Sequence, residues 1–157
     1  MRRKDREIEN IVDIIAIIDK CEVCRLGLAH NNKPYVIPMN YGYEYTDDKL
    51  IVYLHCAKEG LKLDIIKENP LACFEVDCSH KLITGDEAWK YTMEYESVIG
   101  MGTISICTTK NEKIHGMNKI MEKYAKGQKF DFPEHVIESV VILRMDVSKL
   151  TGKRHIK

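Results

Sequence analysis

Two short polar clusters, His30-Asn31-Asn32-Lys33 and Thr46-Asp47-Asp48-Lys49, divide residues 21–55 into three extended runs. That spacing constrains the fold more than any other feature. Asn and Asp tolerate left-handed backbone and hydrogen-bond their own main chain, so such clusters mark turns. The first run, Cys21 to Ala29, sets Val23, Arg25, Gly27 and Ala29 against Cys24, Leu26 and Leu28. Alternation of this kind belongs to a strand with one covered face. Pro34 to Tyr45 reads as a second strand and Leu50 to His55 as a third, joined as successive hairpins.

Three further strands follow, Leu71 to Cys78, Met93 to Ile106 and Val140 to Val147. Helical spacing fills several gaps. Arg6 to Lys20 carries Ile8, Ile11, Val12, Ile15 and Ile18 on one face, with Asp5 as N-cap. Lys58 to Glu68 is a short helix stopped by Asn69-Pro70, because Pro lacks an amide and restricts the residue before it. Thr109 to Tyr124 is a longer helix with Ile114, Met117, Ile120, Met121 and Tyr124 on one side, and Asp131-Phe132-Pro133-Glu134 opens a helical turn. Ser79 to Thr92 reads as a polar, irregular excursion holding the only Trp, Trp89. About six strands in hairpin order, with helices in the connections, predict a mainly β fold with flanking helices, an antiparallel barrel that leaves few exposed edges.

The chain has 157 residues, which fits one domain over residues 1–157. Lys plus Arg and Asp plus Glu both number 24, so the formal net charge is zero, and composition points to no nucleic acid or membrane partner. Basic residues gather at the ends: Arg2, Arg3 and Lys4, then Lys149, Lys153, Arg154, His155 and Lys157. They read as solvated termini or, alternatively, as a clamp for an anionic ligand. Met1 to Asp5 leads into charged and polar residues rather than an apolar leader, and the longest apolar stretch, Ile14 to Ile18, is far short of a membrane span. The expectation is a cytoplasmic protein whose six cysteines are reduced and mostly buried. Cys21 and Cys24 form a lone C-x-x-C, weak as a zinc signal without a second pair.

Three segments could carry chemistry. In Tyr53-Leu54-His55-Cys56-Ala57-Lys58-Glu59-Gly60-Leu61-Lys62, an apolar strand ends in His and a helix begins with a Lys in its first turn. A helix N-terminus exposes unpaired N–H groups and the positive end of its dipole, which suits a phosphate. The alternative is a plain strand-to-helix turn with a surface Lys. In Pro34 to Tyr43, prolines within a strand mark an edge or an irregularity, and Asn40 there could read the polar edge of a planar ring; the alternative is a bulged edge strand. Gly100 and Gly102 share one face of the strand from Tyr95 to Thr103, which either admits a flat ligand or another backbone, or bends a barrel strand.

Together, P-Y-V-I-P-M-N-Y-G-Y, Y-L-H-C-A-K-E-G-L-K-L-D, N-P-L-A-C-F-E-V-D, Y-E-S-V-I-G-M-G and the closing Thr151-Gly152-Lys153 resemble the pyridoxamine-5′-phosphate-oxidase-like flavin-binding split barrels. More narrowly, the chain resembles the branch associated with 5-nitroimidazole resistance. The resemblance implies a six-stranded split barrel that binds FMN and works as a homodimer with cofactors at the subunit interface. Met39, Asn40 and Tyr41 would border the isoalloxazine; His55, Cys56, Ala57 and Lys62 would hold the ribityl phosphate; Tyr95 and Ser97 would approach from the partner subunit. Cys56 stands where the family often carries Ser, exchanging a strong hydroxyl donor for a weak thiol. The implied activity is a reductase passing electrons from a reduced nicotinamide to a small acceptor such as a nitroaromatic, with the flavin supplying the redox chemistry. A non-catalytic flavin- or haem-binding sensor or carrier is the alternative, with His55 and the Met and Cys residues as candidate haem ligands.

Overall fold

The computed structural model describes residues 3–156; Met1, Arg2 and Lys157, part of the basic ends noted above, lie outside the described residues. In chain order the elements are β1 (Glu7–Ile8), α1 (Ile11–Lys20), β2 (Cys24–His30), β3 (Lys33–Met39), β4 (Tyr41–Thr46), β5 (Lys49–Cys56), α2 (Leu61–Glu68), β6 (Leu71–Ile83), β7 (Thr92–Ile106), α3 (Lys110–Tyr124), α4 (Glu134–Ser139) and β8 (Val141–His155). Single 3-10 turns occur at Lys4–Arg6 and Ala88–Lys90. The two polar clusters turn as their composition dictates: Asn31, Asn32, Asp47 and Asp48 take φ of 48°, 60°, 51° and 59°. Paired left-handed residues match the twist of the flanking strands.

The strands form one antiparallel sheet in the order β3-β2-β6-β7-β8-β5-β4, with β1 added along β8. The expected six strands are therefore eight. The single strand expected over Pro34 to Tyr45 divides at Asn40 into β3 and β4, and Glu7–Ile8 adds a two-residue strand. This division shapes the fold. β3 and β4 lie at opposite ends of the strand order and share no ladder, yet only Asn40 separates them in sequence. The sheet must curl until its two ends meet, which makes the split barrel. Pro34 and Pro38 sit on β3, an edge strand with β2 on one side, where a missing amide costs least.

Curling encloses one apolar interior. Ile18, Cys24, Leu26, Tyr41, Val52 and Leu54, with Phe74, Val76, Val98, Leu143 and Met145, are wholly buried within it. Gly100 and Gly102 face this interior. A Cβ at Gly100 would stand 2.1 Å from Phe74 Cε1, and one at Gly102 would stand 2.0 Å from the Asp146 carbonyl oxygen. The space at Gly100 is filled by the Phe74 ring and that at Gly102 by the β8 backbone, so Gly102 does admit another backbone, while neither glycine leaves room for a flat ligand. Burying Phe74 over Gly100 contributes about 1.5–3 kcal/mol. The outward residues between and beside them are Ile99 and Met101, 42% and 51% exposed.

Several boundaries differ from the expected ones. α1 begins at Ile11, not Arg6, because Asn10 is its N-cap: Asn10 Oδ1 accepts from the Val12 N–H at 2.9 Å. Glu7 and Ile8 instead pair with Lys153 and Gly152 of β8. The buried face is Ile14, Ile17 and Ile18, while Val12 is exposed. α2 starts at Leu61, after Gly60. The excursion after Cys78 is strand as far as Ile83, through a bulge between Cys78 and Lys81 where Ser79 takes φ 60°. β8 runs eight residues past Val147, because β7 supplies pairing partners from Ile106 back to Tyr95. No helix among the described residues is long and apolar enough to cross a membrane.

Glu96 is the buried charged residue of this framework. It accepts from Ser79 Oγ at 2.6 Å, Arg154 Nε at 2.6 Å and Lys20 Nζ at 3.2 Å, tying α1, β6, β7 and β8 together. The Ser79 hydroxyl first, against the opposing effect of burial, and then Arg154 and Lys20 pull its carboxyl down to about 2. A depressed folded-state pKa contributes stability above the unfolded value of 4.5, and this is lost as pH falls towards 2. Glu96→Gln should therefore lower unfolding free energy by about 1.5–3 kcal/mol at pH 7. The difference from wild type should shrink between pH 4.5 and pH 2 in denaturant titrations.

Candidate functional site

β4 and β5 pair with Tyr41 opposite Leu54, so the residue before Tyr41 and the residue after Leu54 are neighbours. That register brings Asn40, at the seam of the barrel, beside His55 at the end of β5. Ala57 to Gly60 then carry the chain into α2, which places Lys62 on the same rim. A cavity of about 360 Å³ opens there, lined by Met39, Asn40, His55, Cys56, Ala57 and Lys62, with Tyr35, Ile37 and Pro38 completing its wall. Six of the residues named from sequence therefore meet in one place. Tyr35 and Ile37 went unnamed there, although their alternation with Met39 on β3 is a signal that could have found them.

Chemically the cavity is a set of donors awaiting an acceptor. Asn40, His55 and Lys62 make no side-chain hydrogen bond or ion pair among the described residues. Gly60 is the N-cap of α2, with φ 142° and ψ 155°, and no side chain caps the helix. That φ strains any other residue. The Leu63 N–H closes the first turn onto the Gly60 carbonyl at 2.9 Å. Lys62 Nζ lies 4.0 Å from where a Gly60 Cβ would stand, so the ammonium folds back over its own helix N-terminus. A cation there opposes the positive end of the helix dipole, the reverse of the stabilising arrangement. An anion would satisfy both. Burial raises the Cys56 thiol pKa while the nearby Lys62 works against it, and the thiol stays a weak donor.

The remaining expected residues lie elsewhere. Tyr41 is wholly buried; its hydroxyl donates to the Ile18 and Cys21 carbonyls at 2.5 and 3.0 Å, and burial raises its pKa. Its side chain therefore cannot border a ligand in this cavity, because it holds the end of α1 against the barrel. Tyr95 and Ser97 lie on β7. Ser97 lines a separate cavity of about 450 Å³ with Ile99, Met101, Lys149, Thr151 and Lys153. The Tyr95 ring lies 5.4 Å from Lys153 Nζ and 6.3 Å from the His155 ring. Within one chain, neither meets His55 or Lys62.

Residues 12–154 match the family model described as pyridoxamine 5′-phosphate oxidase. The chain belongs to that family. A crystal structure from Bacteroides thetaiotaomicron, of a protein named for a proposed role in 5-nitroimidazole antibiotic resistance, is 31% identical, with a TM-score of 0.82 over 94% of this chain and 85% of that one. The flavocytochrome Anf3 from Azotobacter vinelandii superposes with a TM-score of 0.83 at 16% identity, over 100% of this chain and 72% of its own. The FAD and haem binding protein from Mycobacterium smegmatis does so with 0.83 at 13% identity, over 97% and 74%. The last two share the fold. No curated protein matches the chain in sequence.

The placement of Tyr41 in this family member gives a direct check. Tyr41→Phe removes the buried hydroxyl shared by the Ile18 and Cys21 carbonyls, of which Ile18 keeps the Lys123 ammonium, so unfolding free energy should fall by about 1–3 kcal/mol. Ligand affinity at the Lys62 cavity should remain at the wild-type value in the same variant, read by denaturant unfolding and ligand titration.

Proposed function

We propose that the cavity at Asn40, His55 and Lys62 binds FMN, and that the protein is a reductase passing electrons from a reduced nicotinamide to a small acceptor such as a nitroaromatic. The observation that carries this reading is the Lys62 ammonium lying over the uncapped N-terminus of α2. Two like-signed features meet there, and one terminal phosphate would neutralise both. His55 would add a donor from the β5 side, and Asn40 a polar group for the edge of the ring. A single phosphate subsite suits FMN better than FAD. When bound, the flavin supplies the electron-transfer chemistry; the chain's own residues bind and orient it, and no side chain need act as a covalent catalyst. The names of the neighbouring flavocytochrome and the FAD and haem binding protein support the flavin class, and that of the Bacteroides protein supports a nitro acceptor.

A homodimer belongs to the same proposal. The cavity holds about 360 Å³ and opens to solvent, whereas ligand sites bury most of their ligand. A second wall is required. The outer face of β3, β6 and β7 exposes Val36 (63%), Leu71 (65%), Ile99 and Met101, an apolar surface suited to a second copy of the chain.

Heat-released ligand from purified protein should chromatograph as FMN; FAD, haem or no chromophore would overturn the assignment. Lys62→Ala should weaken FMN binding roughly 10- to 150-fold while unfolding free energy changes by less than about 0.5 kcal/mol. His55→Ala should weaken binding at least as much. Flavin-fluorescence titration of apo-protein reads both, and steady-state oxidation of a reduced nicotinamide separates a reductase from a carrier. Light scattering should give a mass near twice 18.2 kDa, and Met101→Asp should shift it towards the monomer.

A further inference from the structure

A second cavity, of about 450 Å³, lies at the far end of β8, where Arg6, Thr84, Asp86, Trp89, Lys90 and His155 come together. It shares no lining residue with the Lys62 cavity. Its side chains are arranged unlike a solvated loop. Trp89 is 78% exposed, a flat aromatic surface left outside the core by a 3-10 turn. Arg6 Nε is buried and has no hydrogen-bond partner among the described residues. Its ion-pair partner, Asp5 Oδ2, stands 3.9 Å off, outside hydrogen-bond reach, because both Asp5 oxygens are taken by Arg3 at 2.7 and 2.6 Å. A buried donor left unpaired is costly and calls for a partner.

The other polar groups narrow what that partner is. Lys90 is paired with Glu87 at 3.0 Å, so its charge is already answered. His155 Nδ1 donates to the Met93 carbonyl at 2.8 Å, which orients the ring and leaves Nε2 without a partner among the described residues. Asp86 places one negative charge in the lining and disfavours a polyanion. What remains is the Arg6 guanidinium, its Nε unpartnered and its other end beside the Tyr95 hydroxyl, for a single anionic group, and one indole face for a ring. The volume suits one or two rings.

We infer that this cavity is a binding site for a planar aromatic monocarboxylate, its carboxylate on Arg6 and its ring against Trp89. The inference is independent of the flavin reading. Purified protein titrated with benzoate in a calorimeter should give saturable heat, together with a change in the emission of Trp89, the only tryptophan of the chain. Benzamide, which has the same shape without the charge, should bind at least about tenfold more weakly. Arg6→Gln should weaken benzoate roughly 10- to 150-fold. Trp89→Ala, a change at an exposed position that leaves folding intact, should also weaken it, and Lys62→Ala should leave it unchanged. Absence of saturable heat with benzoate, equal binding of benzamide, or undiminished binding in both Arg6→Gln and Trp89→Ala would overturn the assignment.

Discussion

The fold depends on a single covalent constraint. Met39, Asn40 and Tyr41 are consecutive, yet the strands on either side of Asn40 end the sheet at opposite edges. Elsewhere neighbouring strands are held by ladders; here a peptide linkage does that work, and the curvature of the whole sheet follows. Tyr41 secures the joint from inside, through its hydroxyl on the end of α1 and its amide on the Tyr124 hydroxyl at 3.1 Å. Asn40, the residue that escapes both ladders, is left facing the cavity. The break that brings the two ends of the sheet together and the break that opens the site are the same residue.

Much of this was legible from residue patterns, for local reasons. Asn31-Asn32 and Asp47-Asp48 turn wherever they stand, so the hairpins could be read directly. The alternation of Cys24, Leu26 and Leu28 identified the buried face of β2. What could not be read locally was decided by partners distant in sequence. Ile8 suits a helix or a strand, and Gly152 across the ladder selects the strand. The polar residues from Ser148 to Lys153 resemble a tail until β7 pairs with them. Gly100 and Gly102 could face either way, and Phe74 decides it. At the site, the strand-to-helix junction marked His55 and Lys62 as candidates, but spacing alone suited a plain turn equally well, and the resemblance singled them out. Tyr41 could not be placed, because the irregularity at Asn40 resets the alternation on which its facing would be judged.

Two lysines show how helix electrostatics divides structure from function in this molecule. Lys123 reaches the C-terminus of α1 and donates to the Ile18 and Asp19 carbonyls at 2.8 and 2.9 Å, where a positive charge complements the dipole. Burial lowers its pKa, yet it is fully partnered and lies 4.6 Å over the Tyr41 ring. Lys62 occupies the opposite pole of α2 without a partner among the described residues. The first lysine completes the fold. The second leaves an electrostatic imbalance at a cavity, which is the ordinary condition of a site before its ligand arrives.

β8 is 15 residues long and runs beside β1, β5 and β7. At one end Val141 and Ile142 back Cys56 and His55; at the other, His155 helps wall the cavity under Trp89. About 45 Å of extended chain separates the two. They are nevertheless stations on one hydrogen-bonded rail, interrupted only by the register shift opposite Met101 and Gly102. Tension applied at either station is borne by the same row of peptide groups, and the bulge is the one place along it where slack can be taken up.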